Sequence, residues 1–142
     1  MLAPEVASFE GTTAQASIPS IYVGGQWRAA ASGEEFEVLN PADGSPITRV
    51  SAGGREDAHA AIEAAATAFP AWSSRTAYER SEVLYKAWQI ITDRQEELAR
   101  ILTGEQGKPI KAARTEVKYA ADFLIWFAEE AKRVYGRTIP SA

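Results

Sequence analysis

Apolar residues from Pro109 to Tyr135 recur at helical spacing more persistently than anywhere else in the chain. Ala113, Val117, Ala120, Leu124, Phe127, Ala128, Ala131 and Tyr135 follow one another in steps of three and four, which places them on one stripe of a helix. Pro109 suits a first helical position, and Gly136 with Pro140 supplies a stop, so the pattern predicts a helix over residues 109–135. At about 1.5 Å per residue such a helix is roughly 40 Å long, more than a small domain needs. A second row, Tyr119, Phe123 and Trp126, lies off the stripe and leaves the segment around residues 123–128 apolar nearly all round.

Upstream, the period is shorter. Ile21-Tyr-Val23, the Gly24-Gly25 pair and Gln26-Trp27 predict a hairpin with a two-residue turn. The alternation Glu35, Phe36, Glu37, Val38, Leu39, the turn residues Pro41 to Gly44, and Pro46 to Val50 predict a second hairpin. From Gly54 the period becomes helical, with Ala58, Ile62, Ala65 and Phe69 on one side, Glu56 and Asp57 in the first turn and Pro70 as the end. Thr76 and Glu79 form a capping box for the next helix, with Val83, Leu84, Ala87, Trp88 and Ile91 as its buried stripe. Asp93 and Glu96 read the same way and open a shorter helix through Leu98, Ile101 and Leu102 to Gly104 or Gly107. The expected plan is two hairpins and then about four helices, with no internal repeat and no βαβ alternation that would make a doubly wound sheet.

Composition narrows the function classes. The 142 residues, 46% of them hydrophobic, suffice for one core and not for two domains. A net charge of −4 with interspersed basic residues offers no cationic face to nucleic acid, and no apolar run approaches membrane-spanning length. Residues 1–20 carry Glu5 and Glu10 and no basic start, so they read as a disordered tail of a cytoplasmic protein rather than a secretory signal. The chain has no cysteine, which removes disulfides, thiolate metal sites and a cysteine nucleophile from it.

Candidate chemistry is sparse. His59, the single imidazole, has no metal-spaced or nucleophilic partner and reads as a solvated surface residue; no metal site is expected. Gly104-Glu-Gln-Gly107-Lys108-Pro109 has a phosphate loop's residue types, but two residues rather than four separate its glycines and proline follows the lysine. It reads as a helix end followed by a helix start. Glu116 and Asp122, six residues apart on one helix, point in different directions and make no acid/base pair.

Five stretches in order, Ile21-Tyr-Val-Gly-Gly-Gln-Trp27, Val38-Leu-Asn-Pro-Ala-Asp-Gly44, Ala68-Phe-Pro-Ala-Trp72, Glu105-Gln-Gly-Lys-Pro109 and Phe127-Ala-Glu-Glu-Ala131 through Pro140, resemble the amino-terminal part of NAD(P)-dependent aldehyde dehydrogenases. Residues 126–136 are most similar to the succinate-semialdehyde dehydrogenases. The resemblance implies an α/β family in which residues 21–142 are a truncated N-terminal part of the cofactor-binding domain, an incomplete domain. It implies aldehyde oxidation by thiolate attack, hydride transfer to NAD or NADP and thioester hydrolysis. The dinucleotide-binding strands, the oxyanion-polarising asparagine, the glutamate base and the nucleophilic cysteine belong to later parts of the family polypeptide. Full-length relatives are homo-oligomeric.

For this chain alone the same resemblance implies no catalytic residue, no bound cofactor and no activity. Tyr119 and Phe123 become candidates for the wall of a substrate tunnel, and Phe127 belongs to the main stripe. The competing reading is a non-catalytic interaction module that binds a partner or a full-length subunit through residues 113–135. In either case the exposed apolar helix favours self-association.

Overall fold

The computed structural model describes residues 20–136 and residue 139. The expected tail, apart from Ser20, and Pro140 of the expected helix stop therefore lie outside the described residues, while Gly136 of that stop is described, with φ 73°. Strands β1 (Ile21–Val23) and β2 (Gln26–Arg28) pair antiparallel, with Tyr22 opposite Trp27 and their rings 5.1 Å apart. The turn works because Gly24 and Gly25 both take positive φ, 60° and 84°, as a two-residue hairpin with the correct twist requires. Strands β3 (Glu35–Leu39) and β4 (Pro46–Ser51) form a second antiparallel pair with an irregularity after Val38. Arg49 bridges Glu35 and Glu37 across it at 3.3 and 3.1 Å. Among the described residues each sheet has two strands.

Four helices follow: α1 (Arg55–Ser73), α2 (Ala77–Asp93), α3 (Gln95–Gln106) and α4 (Ile110–Glu130), with a short 3₁₀ turn at Ala131–Arg133. Helix α4 packs on both α2 and α3, which touch each other only sparingly. The buried residues at its contact face are Ala113, Val117, Ala121 and Ala128, and the core cluster joins Ala113 and Val117 to Ala99 of α3. Ile91, Leu98, Leu102 and Ile110 pack around it partly buried. Small side chains let the helix axes approach closely, so this core is thin: no large side chain is fully buried among the described residues.

Several local expectations are corrected. The long helix is 21 residues, not 27. Pro109 is its N-cap, with ψ 138° and its carbonyl accepting from Ala113 at 3.0 Å, rather than its first helical residue. At the other end the 3₁₀ turn ends at Arg133, and Val134 and Tyr135 are 82% and 86% exposed, with little packing to sustain another helical turn. The buried stripe runs through Ala121 instead of Ala120, and Phe127 is 55% exposed; a residue next to Ala128 cannot share its direction on a helix that turns about 100° per residue. Val83 is likewise exposed on α2.

Pro70 does not end α1. It costs one internal N–H, but its carbonyl accepts from Ser74 at 3.1 Å, so the helix continues three residues past it. Asp93 does not open α3 either. It stays in the last turn of α2, and Arg94 serves both helices: its amide donates to Ile90 and its carbonyl accepts from Leu98, while its guanidinium grips Glu97 at 2.6 and 2.8 Å. The capping box of α2 does form, with Glu79 N donating to Thr76 Oγ1 at 3.3 Å and Thr76 N to Glu79 Oε2 at 2.7 Å.

Two contacts fix the hairpins to the helices. Asp57, its side chain 6% exposed, accepts from Gly54 N at 3.0 Å, Ala31 N at 3.0 Å and Arg28 Nη2 at 3.2 Å, so one carboxylate caps α1 and binds the first hairpin to it. The Gly54 amide, with the Ala31 amide and the Arg28 charge, holds this carboxyl below its ordinary value. Gly107, with φ 69°, ends α3 in the left-handed conformation and donates to Thr103 O at 2.8 Å; a Cβ there would lie 2.9 Å from Pro41 Cγ in the second hairpin's turn.

Gly107→Ala therefore meets both backbone strain and a steric clash, and a loss of more than about 1 kcal/mol in urea unfolding is expected. Gly44→Ala, where φ is 74° and a Cβ meets nothing within 4 Å, carries the strain alone. The two variants should differ, and equal losses would mean that the Pro41 contact is irrelevant. For Asp57 the folded-state pKa lies below 3.8, so its stabilisation is complete above the unfolded-state value and is lost as pH falls through the folded-state value. Melts taken from about pH 5 down to about pH 2 should show a shallower acid decline for Asp57→Ala than for the unaltered chain.

Candidate functional site

Tyr119, Phe123 and Phe127 stand at i, i+4 and i+8 on α4 and form a ladder. The Tyr119 and Phe123 rings meet edge to face at 4.9 Å, and Phe123 and Phe127 lie nearly parallel at 6.5 Å. Trp126 flanks it, and together the four cover an arc of roughly 100° on the side of α4 away from α2 and α3. All four are exposed; Phe123, the least so, still shows 47% of its surface. The expectation that Tyr119, Phe123 and Trp126 lie off the core stripe agrees with this placement. Phe127, assigned to the core from sequence, belongs with them, and its spacing from Phe123 was the available signal.

Tyr119 also borders a shallow depression on the first half of α4, lined with Pro109, Lys111, Ala112, Thr115 and Glu116. Phe123 is not among its lining residues. The structure thus brings the two candidate wall residues into ring contact without enclosing them in one cavity.

The remaining candidates fall where their residue types are satisfied locally. His59 is exposed on α1. Lys108 pairs with Glu116, and Lys118 with Asp122 at 2.6 Å, so each carboxylate faces its own lysine rather than the other carboxylate. No group of His, Cys, Asp and Glu among the described residues is arranged to hold a metal ion. The Gly104 to Pro109 segment does not fit a dinucleotide phosphate: the Gly107 amide is committed to Thr103, Pro109 has no N–H, and the Lys108 ammonium is engaged by Glu116. No helix of the described residues is long and apolar enough to cross a membrane.

Asp57 was the residue that sequence reasoning undervalued, because its part in the first hairpin depends on Arg28 and Ala31 far away in the chain. Gly54 three residues before it was the local sign of a cap.

Since none of the four aromatic residues is buried, replacing them should leave the fold in place. The Phe123→Ser/Phe127→Ser double variant is expected to keep the far-ultraviolet helix signal and to bind markedly less hydrophobic dye than the unaltered chain. Loss of the helix signal would show that the arc is core after all.

The aldehyde dehydrogenase family model matches residues 27–142. Among curated proteins, the glutarate-semialdehyde dehydrogenase of Pseudomonas putida is 48% identical over 119 residues, which is 84% of this chain and 25% of that protein. The NADP-dependent succinate-semialdehyde dehydrogenase of Escherichia coli is 46% identical over 83% of this chain and 24% of its own length. A crystal structure of an Escherichia coli NADP-dependent enzyme superposes with a TM-score of 0.85 at 44% identity, covering 87% of this chain and 26% of that one. The succinate-semialdehyde dehydrogenase of Burkholderia pseudomallei gives 0.82 at 45% identity. The chain spans about a quarter of the length of the relatives it matches, in an incomplete α/β domain. By the match over residues 27–142 and by the fold, it belongs to the aldehyde dehydrogenase family.

Proposed function

We propose that this chain is the amino-terminal scaffold of an enzyme that oxidises a semialdehyde to the carboxylic acid with NAD or NADP, and that by itself it is inert. The observation that carries the reading is the chemistry shared by relatives at nearly equal identity. They are named for glutarate semialdehyde, succinate semialdehyde and 3-sulfolactaldehyde, all aldehydes with a second, acidic group. In this reading residues 21–142 are the first part of the cofactor-binding domain. They contain no thiolate to attack an aldehyde, and the one loop resembling a phosphate cradle has its donors occupied. What they contribute is position: α4 presents Tyr119 and Phe123 as part of the wall along which the aldehyde enters.

A second reading is favoured by the exposed ladder. The chain on its own would be an interaction module that binds a partner or a full-length subunit through residues 113–135.

The purified chain, mixed with succinate semialdehyde and either dinucleotide, is expected to show no turnover and no saturable calorimetric binding of NAD or NADP below about 100 μM, since it supplies neither a nucleophile nor a parallel sheet. Turnover that survives removal of contaminating enzyme would defeat the inert-scaffold reading. Stoichiometric inhibition of a full-length relative by added chain would favour the module. In a complete enzyme carrying this segment, Tyr119→Ala should shift the preference between short and long aldehydes by about 1–3 kcal/mol in kcat/KM. An unchanged preference would remove Tyr119 from the wall.

A further inference from the structure

The depression on the first half of α4 carries a feature that the aromatic ladder beside it lacks. Its wall is mostly apolar, with Pro109, Ala112 and Tyr119 among the lining residues, and it spans about 650 Å³, within the range of small-molecule sites. Two charged residues share it, Lys111 and Glu116. They do not pair with each other: Glu116 is engaged by Lys108, which neutralises it. Of the chain's five lysines, Lys86, Lys108, Lys118 and Lys132 each hold a carboxylate, and Lys111 alone makes no ion pair among the described residues. Thr115, the remaining lining residue, donates its hydroxyl proton to the Lys111 carbonyl at 3.1 Å and so adds no donor of its own. What is left is one unpaired ammonium beside apolar surface, a combination that suits an anion carried on a short apolar stem.

We propose that Lys111 is a specificity-determining residue, whose ammonium takes the remote carboxylate or sulfonate of an acidic aldehyde in this depression, so that acidic aldehydes are preferred over neutral ones. This rests on the reading above that the segment belongs to a semialdehyde-oxidising enzyme with Tyr119 on the aldehyde's path. Tyr119 borders both the depression and the ladder, so a molecule held at Lys111 lies next to the proposed wall. The Glu116–Lys108 pair matters here, because a free carboxylate in the same depression would repel the anion. An exposed ammonium also attracts a charged molecule at longer range than apolar surface does, and that part of the preference weakens as salt screens it.

The first test acetylates the full 142-residue chain and follows each lysine by peptide mass spectrometry. Lys111, without a carboxylate partner, should react fastest. Succinate should slow it saturably, by about threefold at about twice the dissociation constant. Lys86 should not be protected, and neither neutral succinamide nor chloride at equal ionic strength should protect Lys111. In the second test, residues 20–136 replace the matching quarter of the Escherichia coli succinate-semialdehyde dehydrogenase, and kcat/KM is compared between succinate semialdehyde and butyraldehyde. Lys111→Gln should lower that ratio about tenfold, mainly through KM, with a smaller loss at high salt. Lys111→Arg should restore most of the ratio, and Lys86→Gln should leave it unchanged. The proposal is overturned if succinate protects Lys111 no better than succinamide does, or protects all five lysines alike. It is equally overturned if Lys111→Gln leaves the ratio where it was. Should the chimera not fold, the protection of Lys111 decides. A chimera that oxidises neither aldehyde while succinate still protects Lys111 would sink the proposed function and leave the anion site standing. One that oxidises succinate semialdehyde with a ratio indifferent to Lys111 would do the reverse.

Discussion

The packing of α2, α3 and α4 depends on the close approach of α4 to its two neighbours. Helices α2 and α3 share little surface, and it is α4 that gives both a common one. The contact is built on Ala113, Val117, Ala121 and Ala128, side chains too small to contribute much burial individually but small enough to bring three helices together. The same choice limits what the bundle can do alone. With no large side chain fully buried among the described residues, the apolar area removed from water is modest, and the chain's largest apolar side chains lie on its outside.

Ion pairs cannot compensate for this thinness. Arg114 holds Glu96 in a two-pronged pair between α4 and α3, and the carboxyl of Glu96 is held low chiefly by that contact, but both groups are nearly half exposed. Exposed pairs contribute at most about 1 kcal/mol each and fix register better than they fix stability. Asp57 is of another kind, because three donors converge on one sequestered carboxylate and the first hairpin is oriented by it. The hairpins are thus attached by specific polar contacts and by the Gly107 approach to Pro41, not by a shared hydrophobic core.

That difference explains what was legible in the sequence. The Gly24-Gly25 turn, the strand from Glu35 to Leu39 and the Thr76/Glu79 capping box are local, and each appeared as read, while of the two glycines offered as the end of the third helix the structure uses Gly107. Pro70 and Asp93 misled because a strong local signal was overridden by neighbours: continued helical bonding past Pro70 and the dual role of Arg94. The long helix was overextended for a related reason. Val134 and Tyr135 satisfy the period, but no described residue packs on them, and periodicity records which side of a helix is apolar without recording whether anything covers it.

The candidate site follows from that last distinction. Two apolar rows on one helix were visible in the sequence, but only packing decides which is core, and packing chose the row of small residues. A helix that turns its alanines inward and Tyr119, Phe123, Trp126 and Phe127 outward cannot be reconciled with a surface evolved to face water, since singly scattered apolar residues are ordinary and a contiguous ladder is not. A rigid apolar wall of the kind proposed for Tyr119 and Phe123 is well served by this arrangement. The alanine face clamps α4 to two other helices, so aromatic rings on the opposite face are held by a backbone that cannot easily shift, and ring-on-ring contact from Tyr119 to Phe127 restricts each rotamer further. The thin core and the exposed ladder are then two sides of one design, in which α4 is anchored on one face so that the other can be presented.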